Sequence, residues 1–159
     1  MTRHVVFGTG QVGRLVAEQL SHRGVEVVMV NRNGQGEIPG ARVVGGDATD
    51  PAFTTRAAAG AEVVYFCLNA MHYARWTEEF PPLQRAVVAA QAVGARLVVL
   101  DNLYAYGPPG GRDLVESMAA RPTSAKAATR AAMTAELLDA QRAGRLEVAV
   151  GRASDYFGP

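Results

Sequence analysis

The residues best suited to chemistry lie at the start of the chain. Val5-Val6-Phe7-Gly8-Thr9-Gly10-Gln11-Val12-Gly13 is a short apolar run that leads into glycines at the G-x-G-x-x-G spacing. Each glycine has a task at such a turn. Gly8 permits the sharp exit from a strand, Gly10 lets the main chain approach a pyrophosphate, and Gly13 lets the following helix pack on the sheet. A helix starting here, with Gln11 and Val12 in its first turn, aims unpaired N–H groups and the positive end of its dipole at an anion over the turn. The chemistry implied is dinucleotide binding through the phosphates. A tight strand-to-helix turn without a ligand is the plainer alternative.

Two further positions bear on which dinucleotide would bind. The residue just beyond the second strand faces the adenosine ribose, where an acidic side chain binds the 2′-hydroxyl. Here the chain reads Asn31-Arg32-Asn33, and no acidic residue follows until Glu37. A guanidinium can hold a 2′-phosphate in a forked pair that a carboxylate would repel, so NADP is favoured and NAD is the alternative. An exposed surface arginine is the competing reading of Arg32. Asp47, with Ala48 after it, has two open readings: an acceptor for the adenine amino group, or a turn stabiliser.

The elements that must position these residues follow from hydrophobic period and punctuation. Strands are expected at Arg3–Phe7, Val25–Val30, Ala41–Val44, Glu62–Cys67, Arg96–Leu100 and Arg145–Val150. The first helix runs from the glycine turn to Gly24, and the βαβ unit it closes has the required length of about 30 residues. Asp50 or Thr49 caps a second helix with Pro51 at its first position. A third spans Trp76 to Val93, with Pro81-Pro82 marking its true first turn and Ala92 on its apolar face, and it ends at Gly94. Thr123 or Ser124 caps a fourth, which ends at Gly144. Strand and helix alternate throughout, giving a three-layer αβα architecture with a doubly wound parallel sheet, the Rossmann fold.

Length and composition point the same way. At 159 residues, 48% hydrophobic, 19% charged and with a net charge of +1, the chain fits one domain and makes no electrostatic case for nucleic acid or an anionic membrane. A small-molecule partner is expected. The single cysteine, Cys67, excludes an internal disulfide and any CxxC metal pair, and reads as a small core residue. The start shows no leader pattern, and cytoplasmic location is the default expectation.

In a doubly wound sheet, ligands sit outside the carboxyl ends of the strands, where the strand order reverses. Leu68, Asn69 and Ala70, just past the fourth strand, are therefore expected cofactor walls. His72 reads as a solvated loop residue. Past the fifth strand, Asp101-Asn102-Leu103-Tyr104-Ala105-Tyr106 brings an asparagine and two tyrosines beside the reacting end. Packing at the crevice rim is the alternative role for both phenols.

GTGQVG at the start, GDATD after the third strand, DNLYAYGP after the fifth and GRASDYFGP at the end together resemble the extended or atypical branch of the short-chain dehydrogenase/reductase superfamily, the NAD-dependent epimerases and dehydratases. The resemblance covers essentially the whole chain. It implies an oxidoreductase or epimerase acting on a small carbonyl or sugar-nucleotide-like substrate. Members of that family carry a C-terminal substrate part after the RxSxxYGP-like segment, so the resemblance implies a chain that is either truncated or lacks that part, and homodimerisation through the Trp76–Val93 and Ser124–Ala143 segments. If the chain is a fragment, a partly uncovered apolar face is expected around Val148, Val150 and Phe157. In that family a Ser or Thr after the fifth strand and a Tyr-x-x-x-Lys pair carry the chemistry, the lysine lowering the pKa of the tyrosine. Asn102 stands at the Ser/Thr place and Lys126 at the lysine place, but Pro122 stands where the tyrosine would be. Tyr104 or Tyr106 supplying the phenol beside Lys126 is one outcome. The others are a non-catalytic cofactor sensor and an inert cofactor-binding piece of a longer enzyme.

Overall fold

The computed structural model describes residues 2–89 and 94–154. Its strands are β1 (Arg3–Phe7), β2 (Glu26–Asn31), β3 (Ala41–Gly45), β4 (Val63–Phe66), β5 (Arg96–Asn102) and β6 (Val148–Ala153). They pair in parallel in the order β3-β2-β1-β4-β5-β6, so the strand order reverses between β1 and β4. The helices are α1 (Gln11–His22), α2 (Pro51–Ala58), α3 (Trp76–Ala89) and α4 (Ala125–Arg142).

Alternation along β1 shows how both faces of the sheet are used. Val5 and Phe7 join the larger core with Ala58 of α2, Phe80 and Val87 of α3, and Met133 and Leu137 of α4. Val6 points the other way, into a smaller core with Ala17 of α1 and Ile38. All three β1 residues are fully buried, which is why the strand reads as a continuous apolar run. The caps agree with their sequence signals. Asp50 accepts from the Ala52 N–H at 2.9 Å with Pro51 at the first position of α2, and Ser124 accepts from the Ala127 N–H at 3.2 Å.

Three boundaries depart from expectation. Pro81 and Pro82 do not begin α3 but lie inside it. Trp76 and Phe80 are both buried and in contact, ring centroids 4.7 Å apart, and their burial holds a first turn that the prolines alone would not start. Strand β5 runs two residues beyond Leu100, so that Asp101 and Asn102 pair with Arg152 and Ala153 rather than entering a loop. Strand β6 begins at Val148, not Arg145, because its register against β5 starts at the Leu97–Val148 pair. Val148 and Val150 pack against the larger core and are only partly buried. Ala92, Val93, Phe157 and the rest of the final DYFGP segment lie outside the described residues.

Helices α2 and α3 are joined through a buried polar contact. The Thr54 hydroxyl donates to the Ala86 carbonyl at 2.6 Å, with Thr54 fully buried. Thr54→Val removes the donor and keeps the shape. We expect a loss of roughly 1–2 kcal/mol in thermal or urea unfolding, with dinucleotide affinity unchanged.

Candidate functional site

The glycine turn is built by backbone lying against backbone. Gly8 adopts φ +112, a conformation that L side chains rarely take, and a Cβ there would stand 2.6 Å from the Cys67 carbonyl oxygen. Gly13 sits so close to the Gly8 carbonyl that any Cβ would overlap it. Gly10 is different. Its φ of −73 is ordinary, it caps α1 without a side-chain hydrogen bond, and among the described residues no atom beyond its two chain neighbours lies within 4 Å of the place its Cβ would occupy. The first helical amide to find a carbonyl is that of Arg14, donating to Gly10 at 3.0 Å. The N–H groups of Gln11, Val12 and Gly13 precede it and have no acceptor within the helix. The first turn of α1 holds no acidic side chain to oppose the dipole. Arg14 Nε also donates to the Thr9 carbonyl at 2.9 Å, which brings a guanidinium beside the turn.

At the ends of β2 and β3, Asn31 organises the chain. Its side-chain oxygen accepts from the Gly34 N–H at 2.7 Å, and its amide donates to the Gln35 carbonyl at 2.7 Å and to Thr9 Oγ1 at 3.5 Å. Its main-chain carbonyl accepts from Gly46 at 3.0 Å, joining the β2 turn to the β3 turn. Arg32, next in sequence, is exposed. Asp47 Oδ1 accepts both the N–H and the hydroxyl of Thr49, at 2.8 and 2.7 Å. Those two bonds hold the Asp47 carboxyl below the usual carboxylate range, and the Arg32 charge adds a smaller pull. Asp47 thus stabilises its own turn through Oδ1, and Ala48 packs against the larger core beside it.

Across the switch point, a crevice of about 490 Å³ opens at the carboxyl ends of β4 and β5. Leu68, Asn69, Ala70, Asn102, Tyr104 and Lys126 all line it, so the expected wall and chemistry residues are brought together. Asn69 Oδ1 accepts from the Ala70 N–H at 2.9 Å and from Trp76 Nε1 at 2.8 Å, fixing the β4–α3 loop to the start of α3. Asn102 Oδ1 accepts from the Tyr104 N–H at 3.1 Å. Tyr106 does not face this crevice. It is buried and its hydroxyl is bound by Arg152 at 2.8 Å, so its role is packing. His72 is exposed, as expected, and pairs with Glu79 at 2.8 Å, which with its other contacts lowers the Glu79 pKa.

Two features of the crevice have no simple sequence signal. Buried Asp101 at the end of β5 meets Arg130 of α4 at 2.5 Å, Arg152 of β6 at 3.4 Å and the Thr134 hydroxyl at 2.9 Å. Arg130 itself lies over the Phe80 ring, 4.7 Å from its centroid. A lone Asp-Asn after a strand and arginines about thirty and fifty residues away offer no local pattern that joins them. The second feature is Tyr73, whose ring lies against the Lys126 ammonium.

Comparison with known proteins places this geometry. A family model described as NAD(P)H-binding matches residues 8–140. No curated protein sequence matches the chain. Among solved structures, dTDP-glucose 4,6-dehydratase of Streptomyces venezuelae with NAD bound superposes with a TM-score of 0.85 at 22% identity, over 99% of this chain and 57% of that one. UDP-glucose 4-epimerase of Brucella ovis in complex with NAD gives 0.82 at 17% identity, over 96% of this chain and 51% of that one. A short-chain dehydrogenase/reductase superfamily protein of Agrobacterium tumefaciens with bound NAD gives 0.76 at 24% identity, over 94% and 48%. These likenesses establish the fold, and the chain spans about half the length of the solved structures it matches.

Cys67 lies beneath the glycine turn, and burial pushes its thiol up to about 11. Roughly a thousandth of it is ionised at about pH 8, so a disulfide thiol reagent should react at least ~100-fold more slowly with the native chain than with the urea-unfolded chain. Equal rates would show that the end of β4 opens freely.

Proposed function

The chain belongs to the NAD(P)H-binding family, and we propose that it is the cofactor-holding part of an oxidoreductase or epimerase that uses NADP(H) on a small carbonyl or sugar-nucleotide-like substrate. The observation that carries the reading is Gly10. Its backbone conformation suits any residue and its surroundings are empty, so nothing within the chain calls for glycine there. A pyrophosphate drawn against the amides of Gln11, Val12 and Gly13 does, because a Cβ at Gly10 would stand between it and the main chain. The residues present thus fit a dinucleotide: the α1 amides for the phosphates, the Asn31–Gly34 turn for the ribose, Arg32 for a 2′-phosphate, and Leu68, Asn69 and Ala70 for the wall toward the reacting ring.

When bound, the nicotinamide supplies or accepts a hydride. The chain's own work is to hold and orient the reactants and to move a proton. Asn102, fixed on β5 and bonded to the next turn, is placed to orient a substrate oxygen. Lys126, which lines the same crevice as Tyr104, would serve the hydroxyls of the nearer ribose and a partner phenol. A non-catalytic sensor is the second reading, and the observation favouring it is Pro122, which cannot exchange a proton. A screen of aldehydes, ketones and nucleotide sugars for NADPH oxidation separates the two, since steady turnover removes the sensor reading.

Fluorescence titration with NADPH and NADH tests the cofactor assignment. Gly10→Ala should leave the melting temperature unchanged and weaken both cofactors by roughly tenfold or more, whereas Gly8→Ala should also destabilise the fold by about 1–3 kcal/mol. Wild-type affinity in Gly10→Ala would remove the argument. Arg32→Ala should weaken NADPH by about tenfold and NADH by less than about twofold, the difference being one charge-assisted forked contact. Equal weakening of the two would show that Arg32 does not read the 2′-phosphate.

A further inference from the structure

The chain carries a lysine suited to proton chemistry while Pro122 occupies the sequence position where a partner phenol would be expected. The fold brings a phenol to that lysine from elsewhere. Lys126 stands in the first turn of α4, and its ammonium is buried with no hydrogen-bond partner among the described residues. A buried ammonium with none of its three donors satisfied is costly, and persists where a ligand or a π face compensates it. Here it lies directly over the ring of Tyr73, and both residues line the crevice that holds Asn102.

The competing phenols are less well placed. Tyr106 has its hydroxyl bound by Arg152 and is buried away from the crevice. Tyr104 lines the crevice, but its ring is not the one the ammonium covers. Tyr73 is also held on a fixed support. It opens the single turn before α3, between His72, whose N–H and ring both bond to Glu79, and Trp76, whose indole is bound by Asn69. Its ring is 80% exposed, so the phenol can exchange its proton with water until a substrate covers it.

We propose that Tyr73 is the proton carrier of this site, paired through space with Lys126 in place of the phenol that Pro122 rules out four residues before it. The proposal rests on the oxidoreductase reading above and names its acid–base residue. In the reducing direction, the carbonyl carbon takes a hydride from the reduced nicotinamide. The Tyr73 O–H bond breaks, its proton forms the new O–H bond on the carbonyl oxygen, and the phenolate regains a proton from water. In the oxidising direction the phenolate takes the hydroxyl proton. The Lys126 ammonium, lying against the ring, offsets the negative charge that develops on the phenol oxygen as the proton moves.

Nitration by tetranitromethane tests the pairing without any substrate, because the reagent attacks phenolate, and Tyr104, 53% exposed, serves as an internal reference. The ratio of Tyr73 to Tyr104 nitration, read by peptide mass spectrometry, should fall about fivefold or more in Lys126→Met and recover in Lys126→Arg, which restores the charge. A ratio unchanged in Lys126→Met overturns the proposal. With any carbonyl found to be reduced, Tyr73→Phe should lower kcat by about 100-fold or more while NADPH affinity stays at the wild-type value. Full turnover in Tyr73→Phe, or loss confined to Tyr104→Phe, also overturns it. Failure of the wild-type chain to bind NADPH or NADH would instead remove the cofactor reading, and the nitration ratio would still decide the pairing.

Discussion

The structure depends on how closely three pieces of main chain approach one another at the switch point of the sheet. The turn after β1 lies against the Cys67 carbonyl on one side, and α1 lies against the carbonyl of that same turn on the other. No side chain fits in either gap, so Gly8 and Gly13 are required by the fold itself. This contact fixes the start of α1, whose first amides have no acceptor within the helix. Gly10, between them, is free of that requirement, which separates the glycines that make the cradle from the one that leaves it open.

The two ends of the crevice are held by different physics. Beyond β2 and β3, the Asn31 amide oxygen and the Asp47 carboxylate accept hydrogen bonds that shape exposed turns, and little charge is buried. At the reacting end, a buried carboxylate, Asp101, draws in two arginines and a threonine hydroxyl from α4 and β6. Such a cluster adds little net stability, since desolvation offsets the Coulomb attraction, but removing any one member leaves an uncompensated charge. Its effect is positional. It ties β5, β6 and α4 together at the point where Asn102 and Lys126 emerge, and it stacks Arg130 on the aromatic start of α3.

Much of this was legible in the residues. The buried strands read as apolar runs, Asp50-Pro51 and Ser124 marked helix starts, and the glycine spacing located the turn at the switch point. The misread places share one cause, which is that a distant contact overrode a local signal. Pro81 and Pro82 look like a helix start, yet burial of Trp76 and Phe80 begins α3 five residues earlier. Asp101 and Asn102 look like the beginning of a loop, yet Arg152 and Ala153 continue the ladder beside them. Tyr104 and Tyr106 stood out through nearness in sequence to the expected reacting end. Tyr73, about fifty residues from Lys126, has no pattern that links it to that lysine until the sheet and α4 are assembled.

The Asn31 contacts carry one further implication. Because the Asn31 side chain ties down the loop through Gly34, Gln35 and Thr9, with Asn33 accepting from the Gln35 N–H, the hydrogen bonds that shape this turn involve no side-chain atom of its exposed neighbour at position 32. Position 32 is thus modular: its cation can be exchanged for an acid at one codon, changing the charge displayed beyond β2 without disturbing the scaffold that presents it.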